Sequence, residues 1–232
     1  MKGIYTLGGY PDKDNFLEAV NIVLKNFDFI EIGLPFSDPV ADGPVIAKAI
    51  NEVIGRVKIK EIIDIIEKLE TKKDIFIMTY SNIIYSYGIK NFSDKLKKVI
   101  KGIIIADLPN VMHSFFYSRG FEVPIIPFVT PESRIGDIIE AVKFNPPFIY
   151  FIGVRGITGS SSDLDSKEIK DRVKVIKSNT NTPVIMGFGI KSVSDAKKAV
   201  SIADGFVIGT EAVKRQTNIK DYEKFLRSFE GI

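Results

Sequence analysis

The sequence has no cysteine and a single histidine, His113. Without cysteine there is no disulfide framework, no thiolate metal site and no Cys nucleophile. One histidine removes most zinc sites and any Ser-His catalysis not built on His113. That residue follows Pro109-Asn110 in what reads as the first turn of a helix, so a surface position is expected for it. No apolar run approaches the roughly 18 residues of a membrane span. The N-terminal residues lack the charged, apolar and small-residue order of a secretory leader. Neither GxxxxGK[ST] nor GxGxxG occurs, so nucleotide binding has no motif behind it. An excess of one charge is also missing: 32 Lys and Arg stand against 29 Asp and Glu, for a net charge of +3. No basic block marks a nucleic-acid or membrane surface. These absences leave a soluble, cytoplasmic protein as the expectation, with no nucleic-acid or membrane partner.

What is present is a chain of 232 residues, 45% hydrophobic and 26% charged, long enough to bury a full core. Short runs of Ile, Val and Phe alternate with longer amphipathic stretches. The runs at 3–7, 27–32, 75–78, 102–105, 123–128, 148–152, 184–186 and 205–208 read as strands covered on both faces. Between them, VKIKEIIDIIEKLE puts Ile59, Ile62, Ile63, Ile66 and Leu69 on one helical face. Further helical patterns cover 14–25, 92–99, 132–143, 166–177, 192–201 and 219–229. Strand–helix alternation implies right-handed βαβ units and a parallel sheet. Eight such units predict an α/β fold, a single (β/α)8 barrel over residues 1–232, in preference to a doubly wound sheet. No Gly- or Ser-rich linker divides the chain. In a barrel of this kind the active site lies at the C-terminal ends of the strands.

Glu31 is the most informative residue. It stands in FDFIEIG among apolar neighbours, and strand alternation puts Phe29, Glu31 and Gly33 on one face. A carboxyl there is either ion-paired or held at a raised pKa suited to proton transfer. Its place at a strand's C-terminal end favours the catalytic reading. Asp42 precedes Gly43-Pro44 and a helix beginning near Val45, so it reads equally as a helix cap or a functional group. Asp38, before Pro39, reads as a turn residue. Asp107 ends the apolar run GIIIAD and reads as a cap for a helix starting near Val111.

The second half carries glycines instead. GITG (156–159), GFG (187–189) and IGT (208–210) follow three consecutive strand candidates. Glycine lets backbone approach a ligand closely, and a helix starting after Gly209 aims free N–H groups at an anion. The region after strands seven and eight commonly binds phosphate, which points to a phosphorylated small molecule. Ser160, Ser161 and Ser162 read as a loop tip without a partner base, and Phe115, Phe116 and Tyr117 as core packing.

FIEIGLPFSDPVADGP (29–44) resembles the signature of the tryptophan synthase alpha subunit family, and MTYSNIIYSYG, ADLP, TPESRI, GITG, GFGI and IGTEAV match further family blocks in order. The resemblance spans nearly the whole chain. It implies a barrel that cleaves indole-3-glycerol phosphate to indole and glyceraldehyde 3-phosphate by a retro-aldol reaction in tryptophan biosynthesis. The catalytic carboxylates of the family match Glu31 and Asp42. Glu31 would protonate C3 of the indole ring and remove the proton of the glycerol hydroxyl. Asp42 would stabilise charge at the indole N–H.

By the same resemblance Tyr150, Gly187, Phe188 and Gly189 line the substrate site. Thr158 and Gly159 belong to a mobile sixth loop, and Gly209 and Thr210 hold the phosphate. Asp107 and Tyr80 stand behind these groups. Thr210 replaces the usual Ser with its hydroxyl kept. The helix that commonly precedes the first strand is missing, which leaves a more open barrel floor as the expectation. The resemblance implies no cofactor in this chain. Pyridoxal phosphate belongs to the β subunit, the expected partner in an α2β2 heterotetramer. The other readings are a poorly active subunit that chiefly activates its β partner, and a different phosphate-binding barrel enzyme.

Overall fold

A computed structural model describes residues 1–153, 164 and 166–232. The apolar runs form eight parallel strands: β1 (Lys2–Leu7), β2 (Phe29–Gly33), β3 (Asp74–Thr79), β4 (Gly102–Ile105), β5 (Phe128–Val129), β6 (Ile149–Phe151), β7 (Val184–Met186) and β8 (Gly205–Ile208). Helices follow every strand. α1 (Lys13–Asn26) follows β1, α2 (Pro44–Val53) and α3 (Ile59–Glu67) follow β2, and α4 (Ser81–Tyr87) and α5 (Ile89–Leu96) follow β3. Then come α6 (His113–Tyr117), α7 (Ile135–Val142), α8 (Lys167–Asn179) and α9 (Val193–Ile202), with α10 (Thr210–Arg215) and α11 (Ile219–Arg227) after β8.

The strands lie in one sheet in the order β4-β3-β2-β1-β8-β7-β6-β5. The ring is completed where Ile103 on β4 bridges Ile125, with Ile103 N donating to Pro124 O at 2.9 Å and Ile126 N to Ile103 O at 2.8 Å. This is the expected (β/α)8 barrel. The strand expected over 123–128 is broken into that bridge and the short β5. Pro124 and Pro127 have no N–H to give, so a continuous ladder cannot run through them. The helix expected over 92–99 begins earlier as α5, and α4 precedes it across Gly88, whose φ of 91° only glycine adopts readily.

Two apolar shells hold the barrel. Outward strand residues such as Ile30, Ile32, Ile75 and Ile77 pack under the helices, and inward residues fill the interior. The lower interior is aromatic: Phe29 lies 5.3 Å from Phe76 and 5.9 Å from Phe148, and Phe76 lies 4.9 Å from Phe148, centroid to centroid. Gly3 on β1 makes room, since a Cβ there would sit 2.2 Å from the Phe29 ring. The expectation of a more open floor is not met: three buried phenyl rings fill it from inside. His113 is also not at the surface. It is buried, because α7 packs over the 3₁₀ turn at Asn110–Met112 that leads into α6. Burial pushes its imidazole down to about 4, with Glu140 opposing, so it stays neutral. Among the described residues no helix is long and apolar enough to cross a membrane.

The aromatic floor predicts a large stability effect at one position. Phe76→Ala removes a ring with two aromatic partners and no exposure. It should cost about 3–5 kcal/mol. Urea unfolding monitored by circular dichroism measures this, and an unchanged midpoint would show that the floor contributes nothing.

Candidate active site

Alternation on β2 turns Phe29, Glu31 and Gly33 into the barrel and Ile30 and Ile32 toward the helices. Glu31 thus stands above Phe29 and next to Phe76, its register partner on β3, fully buried, with neither carboxyl oxygen hydrogen-bonded within the protein. No cation pairs with it, which disposes of the buried ion-pair reading among the described residues. Desolvation pushes its carboxyl up to about 8. The Tyr150 hydroxyl close by opposes that shift, and Asp42 adds to it. Tyr150 itself donates a long hydrogen bond of 3.5 Å to Gly187 O. At neutral pH Glu31 is a protonated acid.

Asp42 sits on the loop between β2 and α2. It does not cap α2: the N-cap is Gly43, no side chain caps that helix, and Pro44 at its first position needs no acceptor. Instead its carboxylate accepts a 2.6 Å hydrogen bond from the Tyr80 hydroxyl, which itself accepts from Ala41 N at 3.2 Å. Tyr80 also stacks on Phe36, centroids 4.8 Å apart. One tyrosine at the end of β3 thereby fixes both the loop and the carboxylate. Burial raises the pKa of Asp42, and the Tyr80 bond pulls the other way. Asp107 does not cap a helix near Val111. It accepts from Ser81 N at 2.7 Å and Ser81 Oγ at 2.6 Å, securing the first turn of α4 next to Tyr80.

The glycines of the second half separate into three kinds. At Gly187 a Cβ would fall 1.5 Å from the Tyr150 ring, so this glycine exists to seat Tyr150. Gly189 has φ 85°, a turn conformation that favours glycine. At Gly209 the nearest atoms to a Cβ are 3.9 and 4.0 Å away, so its missing side chain leaves room for a ligand. Thr210 opens α10 beside it.

Glu31, Asp42, Tyr150, the 187–189 turn, Gly209 and Thr210 all line one cavity at the C-terminal mouth of the barrel. Thr158, Gly159 and the serines at 160–162 lie outside the described residues. The lining also includes Tyr5, Met78, Val207 and Lys191, which sequence reasoning missed. Tyr5, Met78 and Val207 are inward positions of alternating strands, so the β2 argument applied to every strand finds them. Lys191 gives no such signal, because it lies in the connection to α9. The cavity combines a carboxylate side, an aromatic wall and a glycine-rich side. Among the described residues no group of three or more His, Cys, Asp or Glu is placed to hold a metal ion.

Comparison with known proteins gives a consistent picture. The family model described as tryptophan synthase alpha chain matches residues 4–230. The tryptophan synthase alpha chain of Staphylococcus haemolyticus is 37% identical over 225 residues, covering 92% of this chain and 91% of the relative. That of Thermotoga petrophila is 35% identical over 227 residues, covering 92% and 90%. The solved tryptophan synthase subunit alpha from Campylobacter jejuni superposes with a TM-score of 0.86 at 30% identity, covering 98% of this chain and 94% of that one. A chain from a Mycobacterium tuberculosis tryptophan synthase structure gives 0.88 at 26% identity, covering 99% and 90%.

The buried acid predicts a pH-dependent stability. In the unfolded chain Glu31 ionises near its ordinary 4.5, whereas in the folded chain it holds its proton to about 8. The unfolded state therefore binds fewer protons between these values, and this group's contribution to stability falls as pH rises through that window. Glu31→Gln cannot ionise. Its melting temperature should match the parent near pH 4 and exceed it at pH 9, by a margin on the order of a few kcal/mol in stability. Equal pH profiles would mean that Glu31 ionises without penalty.

Proposed function

The chain belongs to the tryptophan synthase alpha chain family, and from the site we propose how it carries out that family's reaction, the cleavage of indole-3-glycerol phosphate to indole and glyceraldehyde 3-phosphate. The observation that carries the assignment of roles is the protonated, unbonded carboxyl of Glu31 beside a hydrogen-bonded Asp42 in one cavity. Two carboxyls in unlike environments divide the work of acid and stabiliser. Glu31 begins as the acid and gives its proton to C3 of the indole ring. Asp42 faces the charge that develops at the ring N–H. The Glu31 carboxylate then takes the proton of the glycerol hydroxyl, the carbon–carbon bond breaks, and its electron pair restores the aromatic ring as the aldehyde forms. Glu31 ends protonated, ready for another turn.

The apolar wall of Tyr150, Phe188 and Met78 suits a flat bicyclic ring. The opposite side, with open space at Gly209, the turn at Gly189, Thr210 and Lys191, suits a phosphate. A β-subunit partner is supported by exposed apolar side chains that follow neighbouring strands: Val40 after β2, Val111 and Met112 after β4, and Ile135 at the start of α7 after β5. Such an arc at the mouth of the barrel marks a binding face. On this reading indole leaves into the β subunit of an α2β2 assembly in the cytoplasm, pyridoxal phosphate is held by that subunit, and this chain works with its own side chains.

The test is indole release from indole-3-glycerol phosphate by the purified chain, alone and with a β subunit. Glu31→Gln should lower kcat by about 10² or more. The parent's kcat/KM should fall as pH rises through about 8, where Glu31 loses its proton. Near-normal turnover by the Gln variant would reject Glu31 as the acid–base group, and no activation by any β subunit would reject the partner.

A further inference from the structure

Tyr5 stands at the heart of the cavity without a task in the chemistry above. Its Cα is the register partner of Glu31 across the β1–β2 pair, so the two side chains enter the barrel side by side. The phenol runs up the barrel wall and ends over Gly33. A Cβ at that glycine would lie 2.0 Å from the Tyr5 oxygen and 2.5 Å from its ring carbon Cζ. The side chain is 95% buried, since its relative exposure is 5%, and the cavity is where it opens. No protein group among the described residues hydrogen-bonds its hydroxyl. A buried hydroxyl normally finds a partner, and one left open to a ligand cavity has that partner in the ligand.

We propose that Tyr5 is a catalytic residue whose hydroxyl donates a hydrogen bond to the glycerol oxygen from which Glu31 removes the proton. The inference rests on the lyase reading given above. Tyr5 has a proton to donate, because burial and the neighbouring carboxyls of Asp42 and Glu31 raise its pKa well above the usual value. The indole N–H is taken by Asp42 on that reading, which leaves the glycerol oxygen as the partner of the Tyr5 hydroxyl. The oxygen within reach of Glu31 is also within reach of the side chain next to it. During cleavage that oxygen passes its proton to the Glu31 carboxylate, gains negative charge and becomes the aldehyde carbonyl as the carbon–carbon pair moves to the ring. A fixed donor stabilises the oxygen throughout, and Tyr5 keeps its own proton at the end.

Tyr5→Phe deletes the oxygen and keeps the ring, so it separates this role from packing. With indole-3-glycerol phosphate and the β subunit present, kcat should fall about ten- to a hundredfold, with KM changed less than threefold. Calorimetry with indole-3-propanol phosphate, which keeps the ring and phosphate but lacks the glycerol hydroxyls, should give the same affinity for parent and variant. Unchanged kcat in Tyr5→Phe alongside an active parent would overturn the role of Tyr5 and leave the lyase reading standing. An equal loss of affinity for the deoxy analogue would also overturn it, showing that the hydroxyl only shapes the pocket. A parent that releases no indole would reject the lyase reading itself.

Discussion

A carboxylic acid without a hydrogen bond, standing on a floor of phenyl rings, is the constraint around which this barrel is arranged. Water would solvate Glu31 and return it to an ordinary carboxylate, so the interior below it has to be dry. Phe29, Phe76 and Phe148 provide that dryness, and Gly3 leaves the space one of them needs. The same constraint limits what can stand beside Glu31. Tyr5 and Tyr150 bring polarity at the tip of a large apolar ring, so they leave the acid neutral and still offer hydrogen bonds to a substrate.

The mouth above the acid is built from two unlike halves. On the β1–β3 side the chemistry lies in side chains and is held by side chains: Tyr80 ties Asp42 to the loop backbone, and Asp107 braces the turn from which Tyr80 projects. On the β6–β8 side it lies in backbone shape, with one glycine seating an aromatic ring, one turning the chain and one leaving space. A molecule with a flat, weakly acidic ring at one end and a phosphate at the other matches that division.

Much of this was legible in the sequence, for identifiable reasons. Alternation in FIEIG put Glu31 on one face with Phe29 and Gly33, and since both faces of β2 are covered, only the fold shows that this face is the inner one. The (β/α)8 order followed from the count of apolar runs, and β5 departed from it where two prolines interrupt the hydrogen bonds. What stayed hidden depends on distant packing. Asp42 precedes Gly-Pro at a helix start, and only the fold brings Tyr80 to it from the next strand. Asp107 likewise serves a helix earlier in the chain than the one it precedes. His113 carries no local sign that α7 will cover it. Tyr5 was overlooked because an aromatic in a strand is usually packing, and its open hydroxyl is visible only beside Glu31 and Gly33.

The central claim, that Glu31 is a neutral acid at working pH, is open to direct observation. Infrared difference spectra between the parent and Glu31→Gln across a pH series report the carboxyl of this one residue. A protonated carboxylic-acid band that persists through neutral pH and disappears with a midpoint near 8 is the predicted result. A carboxylate band already present at neutral pH, with its midpoint near the ordinary 4.5, would contradict it.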